Sequence, residues 1–377
     1  MINSASMLGV YRRAYGESPR GVIVSRTPGR VNIIGEHTDY NDGFVLPTPI
    51  DRHIWIAAKP KEDMKVSLYA ADYNERTSFD IEGIEFDEGH PWSNYVIGVA
   101  DAMVKRGYAL GGANMAIKGD VPIGAGLSSS AAIEVAVAKA FARLFNLDID
   151  PVELAYIGKS AENDFVGVQC GVMDQFVGSL GRRGHALFID CRTNQYEHIP
   201  LDPDYFVVVV NTMVKRELTS SAYNERRRQC EEGVRVLRKR LPNVAALRDV
   251  SGEDLERHWF DLPEAVHRRC RHVVAENRRV LEAVDALKRG DMEGLGRLLY
   301  ESHLSLRDDY EVSCRELDML VEMARGIPGT IGARMTGAGF GGCTVNIVER
   351  EHANKFSEKI KERYKAATGL SAEAYMA

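Results

Sequence analysis

The sequence predicts a mixed α+β (α/β) protein of two domains, and three observations support that. The chain has 377 residues, more than one ordinary core serves, so two domains of ~100–200 residues each are expected. Short apolar runs bounded by turn residues alternate with helical periodicities through the first half. From Glu225 to Leu320 the chain is charged and helix-like, with a short buried strand on either side, Asp204 to Asn211 and Cys343 to Val348. A division near residue 195 is expected, giving domains 1–195 and 196–377.

In order, Gly21 to Ser25 reads as a strand, Thr27-Pro28-Gly29 as a turn and Val31 to Ile34 as a second apolar stretch. Asn41-Asp42-Gly43 is a hairpin signal because these residues tolerate positive φ, which places Glu36, His37 and Asp39 on a loop between extended segments. β-structure continues to about Phe86, Trp92 to Arg106 reads as a helix, and Asn114 to Lys118 as a strand. A glycine-rich loop then opens a helix whose apolar face is Ile133, Val137, Phe141, Leu144 and Phe145, at spacings of three and four. Pro151 to Leu180 is helical but punctuated by Gly158, Gly167, Gly171 and Gly178, which marks close packing. Glu351 to Ala367 reads as a charged surface helix.

Composition removes several classes of function. The 45% hydrophobic and 27% charged content is that of ordinary globular chains, and a formal charge of −6 argues against general binding to nucleic acid or anionic membrane. The longest strongly apolar stretch, Tyr205 to Val210, is far short of the ~18–20 residues of a membrane-spanning helix, and the first residues lack a signal-peptide core. A cytoplasmic protein is expected. Cys170, Cys191, Cys230, Cys270, Cys314 and Cys343 lie far apart without a C-x-x-C pair, so they read as reduced thiols and not as a disulfide or zinc framework.

Two glycine-rich loops have the composition that wraps phosphate oxygens with backbone N–H groups. The Walker pattern is absent, since Glu153 stands where Gly158-Lys159-Ser160 would need a preceding glycine. Gly337, Gly339 and Gly342 satisfy G-x-G-x-x-G but lead into a strand, whereas the dinucleotide fingerprint opens a helix. The other loop, Pro122 to Ser130, runs into a helix N-terminus, where unpaired N–H groups and the positive dipole end favour an anion. Helix capping alone is the plainer reading of Ser128 to Ser130.

Together these segments resemble the GHMP kinases, and within them the galactokinases. GRVNIIGEHTDYNDGFVLP at 29–47 resembles the galactokinase signature and VPIGAGLSSSAAIE the family's ATP loop. GVMDQFVGSLG, NTMVKRELTSSAYNERRRQC and MTGAGFGGCTVNIV are similar to three further blocks in the family's order. The resemblance implies an N-terminal domain like ribosomal protein S5 domain 2, a C-terminal ferredoxin-like domain, and an active site in the cleft between them.

It also implies roles. Glu36, His37, Thr38, Asp39, Gly171 and Tyr223 match galactose-contacting positions, and Gly124, Ala125, Gly126, Leu127, Ser128, Ser129 and Ser130 the ATP loop. Ser130 and Glu162 match Mg²⁺ ligands, with Asn163 where histidine is common in the family. Asp174 matches the catalytic base, and Arg30 an arginine that pairs with it; Asp174 as proton acceptor and as orienting anion both stay open. Read alone, EHTD is a polar loop, Glu162 a solvated helix residue, Asp174 a surface or capping aspartate and Arg30 half of a surface ion pair.

The implied activity is transfer of a phosphoryl group from MgATP to the C1 hydroxyl of α-D-galactose, with no obligate protein partner. A galactose- and ATP-sensing regulator and a kinase for N-acetylgalactosamine or another monosaccharide are the alternatives.

Overall fold

A computed structural model describes residues 2–214 and 219–376. Residues 215–218, inside the stretch NTMVKRELTSSAYNERRRQC, lie outside the described residues. In chain order the elements begin α1 (Ser4–Tyr15), β1 (Ile23–Asn32), β2 (Phe44–Val45), β3 (Pro47–Pro60), β4 (Lys65–Ala70), β5 (Glu75–Asp80), α2 (Asn94–Lys105) and β6 (Ala113–Gly119). Then come α3 (Ser129–Leu144), α4 (Pro151–Ser160), α5 (Met173–Leu180), β7 (His185–Asp190), β8 (Tyr196–Pro200) and β9 (Tyr205–Asn211). The helical region holds α6 (Thr219–Leu237), α7 (Gly252–Arg257), α8 (Glu264–Arg289), α9 (Met292–Asp308) and α10 (Arg315–Arg325), and the chain closes with β10 (Thr330–Thr336), β11 (Cys343–Glu349), α11 (Ala353–Thr368) and β12 (Glu373–Met376).

These elements form two compact units: residues 1–30, 50–123 and 127–181, and residues 31–49, 124–126 and 182–377. The expected division near residue 195 is a single cut, whereas the chain passes between the units repeatedly. Residues 31–49 belong with the C-terminal residues because β2 pairs with β7 and because Arg334 donates to the carbonyls of Asn32 and Ile33.

The first unit is built on a five-stranded sheet in the order β1-β3-β6-β4-β5. Side chains alternate across a strand, and β3 and β6 show the consequence. Trp55, Ala57 and Ala116 pack with Met7, Val10 and Tyr11 of α1 on one face. Ile56, Ala58, Met115 and Ile117 pack on the other with Val96, Met103, Val137, Phe141 and Ile157 of α2, α3 and α4. Strand β4 runs parallel to β6, and the crossover between them carries α2.

Two local expectations are corrected. Thr27-Pro28-Gly29 is not a turn, since β1 runs through it without interruption. Proline is tolerated there because β1 is an edge strand of its sheet. Gly29 is needed for a close approach: a Cβ on it would lie 2.7 Å from the Leu127 carbonyl. Asn41-Asp42-Gly43 makes no two-residue hairpin either. Asp42 does take φ 57°, but it caps a short 3₁₀ turn at Asp39–Asn41 inside a longer loop.

The second unit holds an antiparallel sheet, β10-β11-β9-β12, and a smaller one, β2-β7-β8. Val207 to Val210 of β9 are all buried, as a strand covered on both faces requires. Val208, Val210, Ala333 and Val348 pack with Leu320 and Ala324 of α10 and with Phe356, Ile360 and Tyr364 of α11. Met335 of β10 joins a second core with Leu306, Tyr310, Val266, Cys270 and Val273, which fixes α8 and α9.

Candidate active site

In the first unit, Arg30 near the end of β1 donates from Nε to Oδ1 of Asp174 at 2.8 Å and from Nη2 to Oδ2 at 2.7 Å. This two-pronged arrangement holds the carboxylate plane. Asp174 sits in the first turn of α5, and Oδ2 also accepts from the Ser128 hydroxyl. Ser128 precedes α3 in the left-handed region at φ 60°, not in the extended conformation of a capping residue; its side chain makes no capping bond, and its hydroxyl donates to Asp174. The capping-only reading of Ser128 therefore fails, and the first N–H groups of α3 receive no side-chain cap from it.

One turn into the same region lies a second carboxylate group. A glycine-punctuated helical stretch was expected here; α4 ends at Ser160 and a π-helical turn, Ala161–Val166, carries Glu162 inward. Glu162 is buried and bonds to the Ser130 hydroxyl, to Cys170 Sγ at 3.3 Å and to Gln175 Nε2 at 2.8 Å. The same Gln175 nitrogen donates to Glu134 Oε2 at 3.0 Å, so one amide bridges two buried carboxyl groups. Burial pushes Glu162 above the ordinary carboxylate range, with Asp174's charge acting the same way. Burial and then the charge of Glu162 push Glu134 well above it.

The second unit carries the EHTD loop. Glu36 and Arg334 form an ion pair at 2.6 Å in which neither side chain is more than 3% exposed. Glu36 also accepts from Asn32 Nδ2 at 2.7 Å, the Thr336 hydroxyl at 2.9 Å and the Gly337 N–H at 2.7 Å. Burial raises its pKa, and Arg334 foremost among its partners pulls it back. Thr38 is buried, its hydroxyl 2.8 and 2.6 Å from the carbonyls of Gly35 and Phe44, which braces the loop.

His37, at φ 63°, bonds through Nδ1 to the Tyr40 hydroxyl at 2.7 Å, and Tyr40 bonds to the Tyr310 hydroxyl at 2.8 Å. Its ring lies 5.7 Å from that of Tyr223 and 4.7 Å from that of Tyr310. Burial, followed by the nearby His272, lowers His37 to about 3, so it is a neutral imidazole. His272 holds the Glu36 carbonyl through Nε2 at 3.1 Å and is itself lowered to about 4 by burial.

The structure thus joins Arg30, Ser128 and Asp174 in one cluster, Ser130 and Glu162 in another, and Glu36, Thr38, His37 and Tyr223 around one loop. Asp39 and Gly171 are half-buried, and Gly124, Gly126, Leu127 and Ser129 lie along the approach to α3. In the second unit Gly337 and Cys343 lie against the loop's Gly126 and Ala125. The G-x-G-x-x-G loop turns at Gly337, Gly339, Gly341 and Gly342, all at positive φ, and its Gly337 N–H serves Glu36. Glu134, Gln175, Arg334, Tyr40 and Tyr310 were missed. Glu134 and Arg334 each had a signal, a lone charge in an otherwise apolar stretch.

Three family models match: the galactokinase galactose-binding signature over residues 10–60, the GHMP kinases N terminal domain over 94–182 and the GHMP kinases C terminal domain over 283–366. A galactokinase from a Roseiflexus species is 48% identical over 376 residues, 100% of this chain and 95% of that one. The galactokinase of Chloroflexus aurantiacus is 45% identical, covering 98% and 94%. A crystal structure of Lactococcus lactis galactokinase complexed with galactose superposes with a TM-score of 0.94 at 37% identity, covering 99% of this chain and 97% of that one. Methanococcus jannaschii mevalonate kinase, at 18% identity and a TM-score of 0.64 over 94% and 97% of the chains, shares the fold. The expected two-domain GHMP kinase fold is present, and the chain belongs to the galactokinase family.

Proposed function

We propose that the protein transfers the γ-phosphoryl group of ATP to the C1 hydroxyl of α-D-galactose. The observation that carries this reading is the 48% identity along the whole chain to a galactokinase, with the EHTD loop and the serine loop both intact. An intact Ser128-Ser129-Ser130 loop with Asp174 favours an enzyme over a sensor of galactose and ATP.

Asp174 is assigned to the acceptor hydroxyl. Of the four lone-pair positions on its carboxylate, Arg30 takes one on each oxygen and Ser128 a second on Oδ2. The remaining position on Oδ1 is the one that can accept a sugar hydroxyl, either to take its proton or to aim it. Arg30 prevents rotation of the carboxylate.

The loop from Gly124 to Ser130 is assigned to the phosphates, with the N-terminus of α3 directed at the anion. Ser130 and Glu162 fit Mg²⁺, since both offer hard oxygens and they already meet each other. When bound, Mg²⁺ neutralises charge on the β- and γ-phosphates. Glu36, His37, Asp39, Gly171 and Tyr223 are assigned to galactose. Glu36 acts largely by holding the loop, since its oxygens are already occupied by four partners. No disulfide joins the six cysteines, which suits a reducing cytoplasm.

An ATP-dependent assay across galactose, glucose, N-acetylgalactosamine and arabinose, with the phosphorylated position established by NMR, tests this. Galactose should exceed glucose by about one to two powers of ten in kcat/KM, the effect of one unmade buried hydrogen bond. Equal rates on the two epimers, or phosphorylation away from C1, would overturn the reading, and binding without turnover would favour the sensor.

A further inference from the structure

Three cations of the first unit line one groove, and none of them forms an ion pair with a carboxylate among the described residues. The groove has a volume of about 690 Å³, and Arg26 of β1 and Lys139 and Arg143 of α3 line it together with the first residues of α1. No aspartate or glutamate is in its lining. Arg26 lies over the Trp55 ring, 5.0 Å from its centre. Lys139 Nζ donates to the Gly178 carbonyl at 2.7 Å, and Arg143 Nη1 to the Val24 carbonyl at 2.6 Å. Backbone carbonyls thus take one bond from each of two cations and supply no compensating charge.

Three cations line one groove in a chain whose net charge is −6, so the positive field is local and not a general property of the surface. Lys139 is half-buried, and burial alone lowers it to about 8. An anion in the groove would reverse that cost.

We propose that this groove binds a small phosphate monoester, with the phosphate held by Arg26, Lys139 and Arg143 and the organic body lying along Val24, Trp55 and Leu154. Two guanidinium groups and an ammonium offer enough donors for the three terminal oxygens of a phosphate dianion, more than a carboxylate uses. The volume is in the range of small-molecule sites, ~300–1,000 Å³. The positive end of α1 adds to the attraction. A nucleic-acid strand would need a basic track, and these cations are confined to one groove.

This assignment does not depend on the reaction proposed above. The experiment titrates the full chain with glucose 6-phosphate and, separately, inorganic phosphate, with galactose and a non-hydrolysable ATP analogue at saturation. Calorimetry should show glucose 6-phosphate binding more tightly than inorganic phosphate, and its affinity should fall roughly tenfold or more in Lys139→Met, Arg26→Ser and Arg143→Ser. Arg26 and Arg143 are exposed, so these two variants keep the test valid if Lys139→Met folds poorly. Near pH 8.5 binding should take up protons in the wild type and not in Lys139→Met, because a bound anion holds Lys139 charged. Absence of binding to the wild type, unchanged affinity in the three variants, or equal affinity for inorganic phosphate would each overturn the proposal.

Discussion

Arg30 and Asp174, 144 residues apart in sequence, meet through two parallel hydrogen bonds that leave the carboxylate a single orientation. Neither its strand nor its helix alone would hold that geometry. Asp174 is also partly open to solvent, which a carboxylate kept only for packing has no need to be.

Asp174→Asn should lower kcat by at least about 10²-fold, the lower bound of what a positioned general base contributes. Thermal melts on the same preparation separate this from instability, since loss of a capping aspartate costs about 1 kcal/mol and leaves turnover of the folded enzyme near normal. Near-normal kcat would remove Asp174 from the mechanism.

Glu162→Ala should raise the Mg²⁺ concentration required for half-maximal turnover, while galactose affinity without nucleotide stays nearly constant. Calorimetric loss of galactose binding with an ordinary Mg²⁺ dependence would contradict the assignment.

Glu36→Gln should destabilise the protein by about 3–5 kcal/mol, because Arg334 is fully buried and would lose its counter-charge. Denaturant midpoints measure this directly. A change below about 1 kcal/mol would mean that the pair behaves like an exposed ion pair.

Acid should weaken the fold well above the usual carboxylate range. His37 and His272 stay neutral in the folded state down to about 3 and about 4. The unfolded chain takes up protons on both below their ordinary pKa near 6.5, so stability is complete above that pH and declines as pH falls. The slope should approach 1.4 kcal/mol per pH unit for each histidine. Urea midpoints at pH 7 and pH 5 test it, and His272→Asn should remove about half of the slope. A flat profile would show that these imidazoles are accessible.

Elements with a strong local signature were legible in the sequence. Val137 and Phe141 lie on the buried face of α3, as their spacing requires, and DYFVVVVN is the doubly covered strand β9. What local pattern missed depends on distant partners. Pro28-Gly29 reads as a turn until β1 is known to be an edge strand against the Leu127 carbonyl. Glu36 reads as a free loop carboxylate because its partners Thr336 and Gly337 lie some 300 residues away. The role of Gln175 is equally hidden, since only folding brings Glu134 and Glu162 to one amide.

The interleaving of the two units limits how this polypeptide could ever be divided. Residues 31–49 belong to the second unit yet are encoded ahead of most of the first. A gene split at any single codon between 50 and 181 would give one product carrying Glu36 and another carrying Arg334, so the second fragment would begin life with a buried cation lacking its mate. Such halves should recover only when expressed together, and gene fission or the exchange of one domain between relatives is correspondingly disfavoured as a route by which this architecture could diversify.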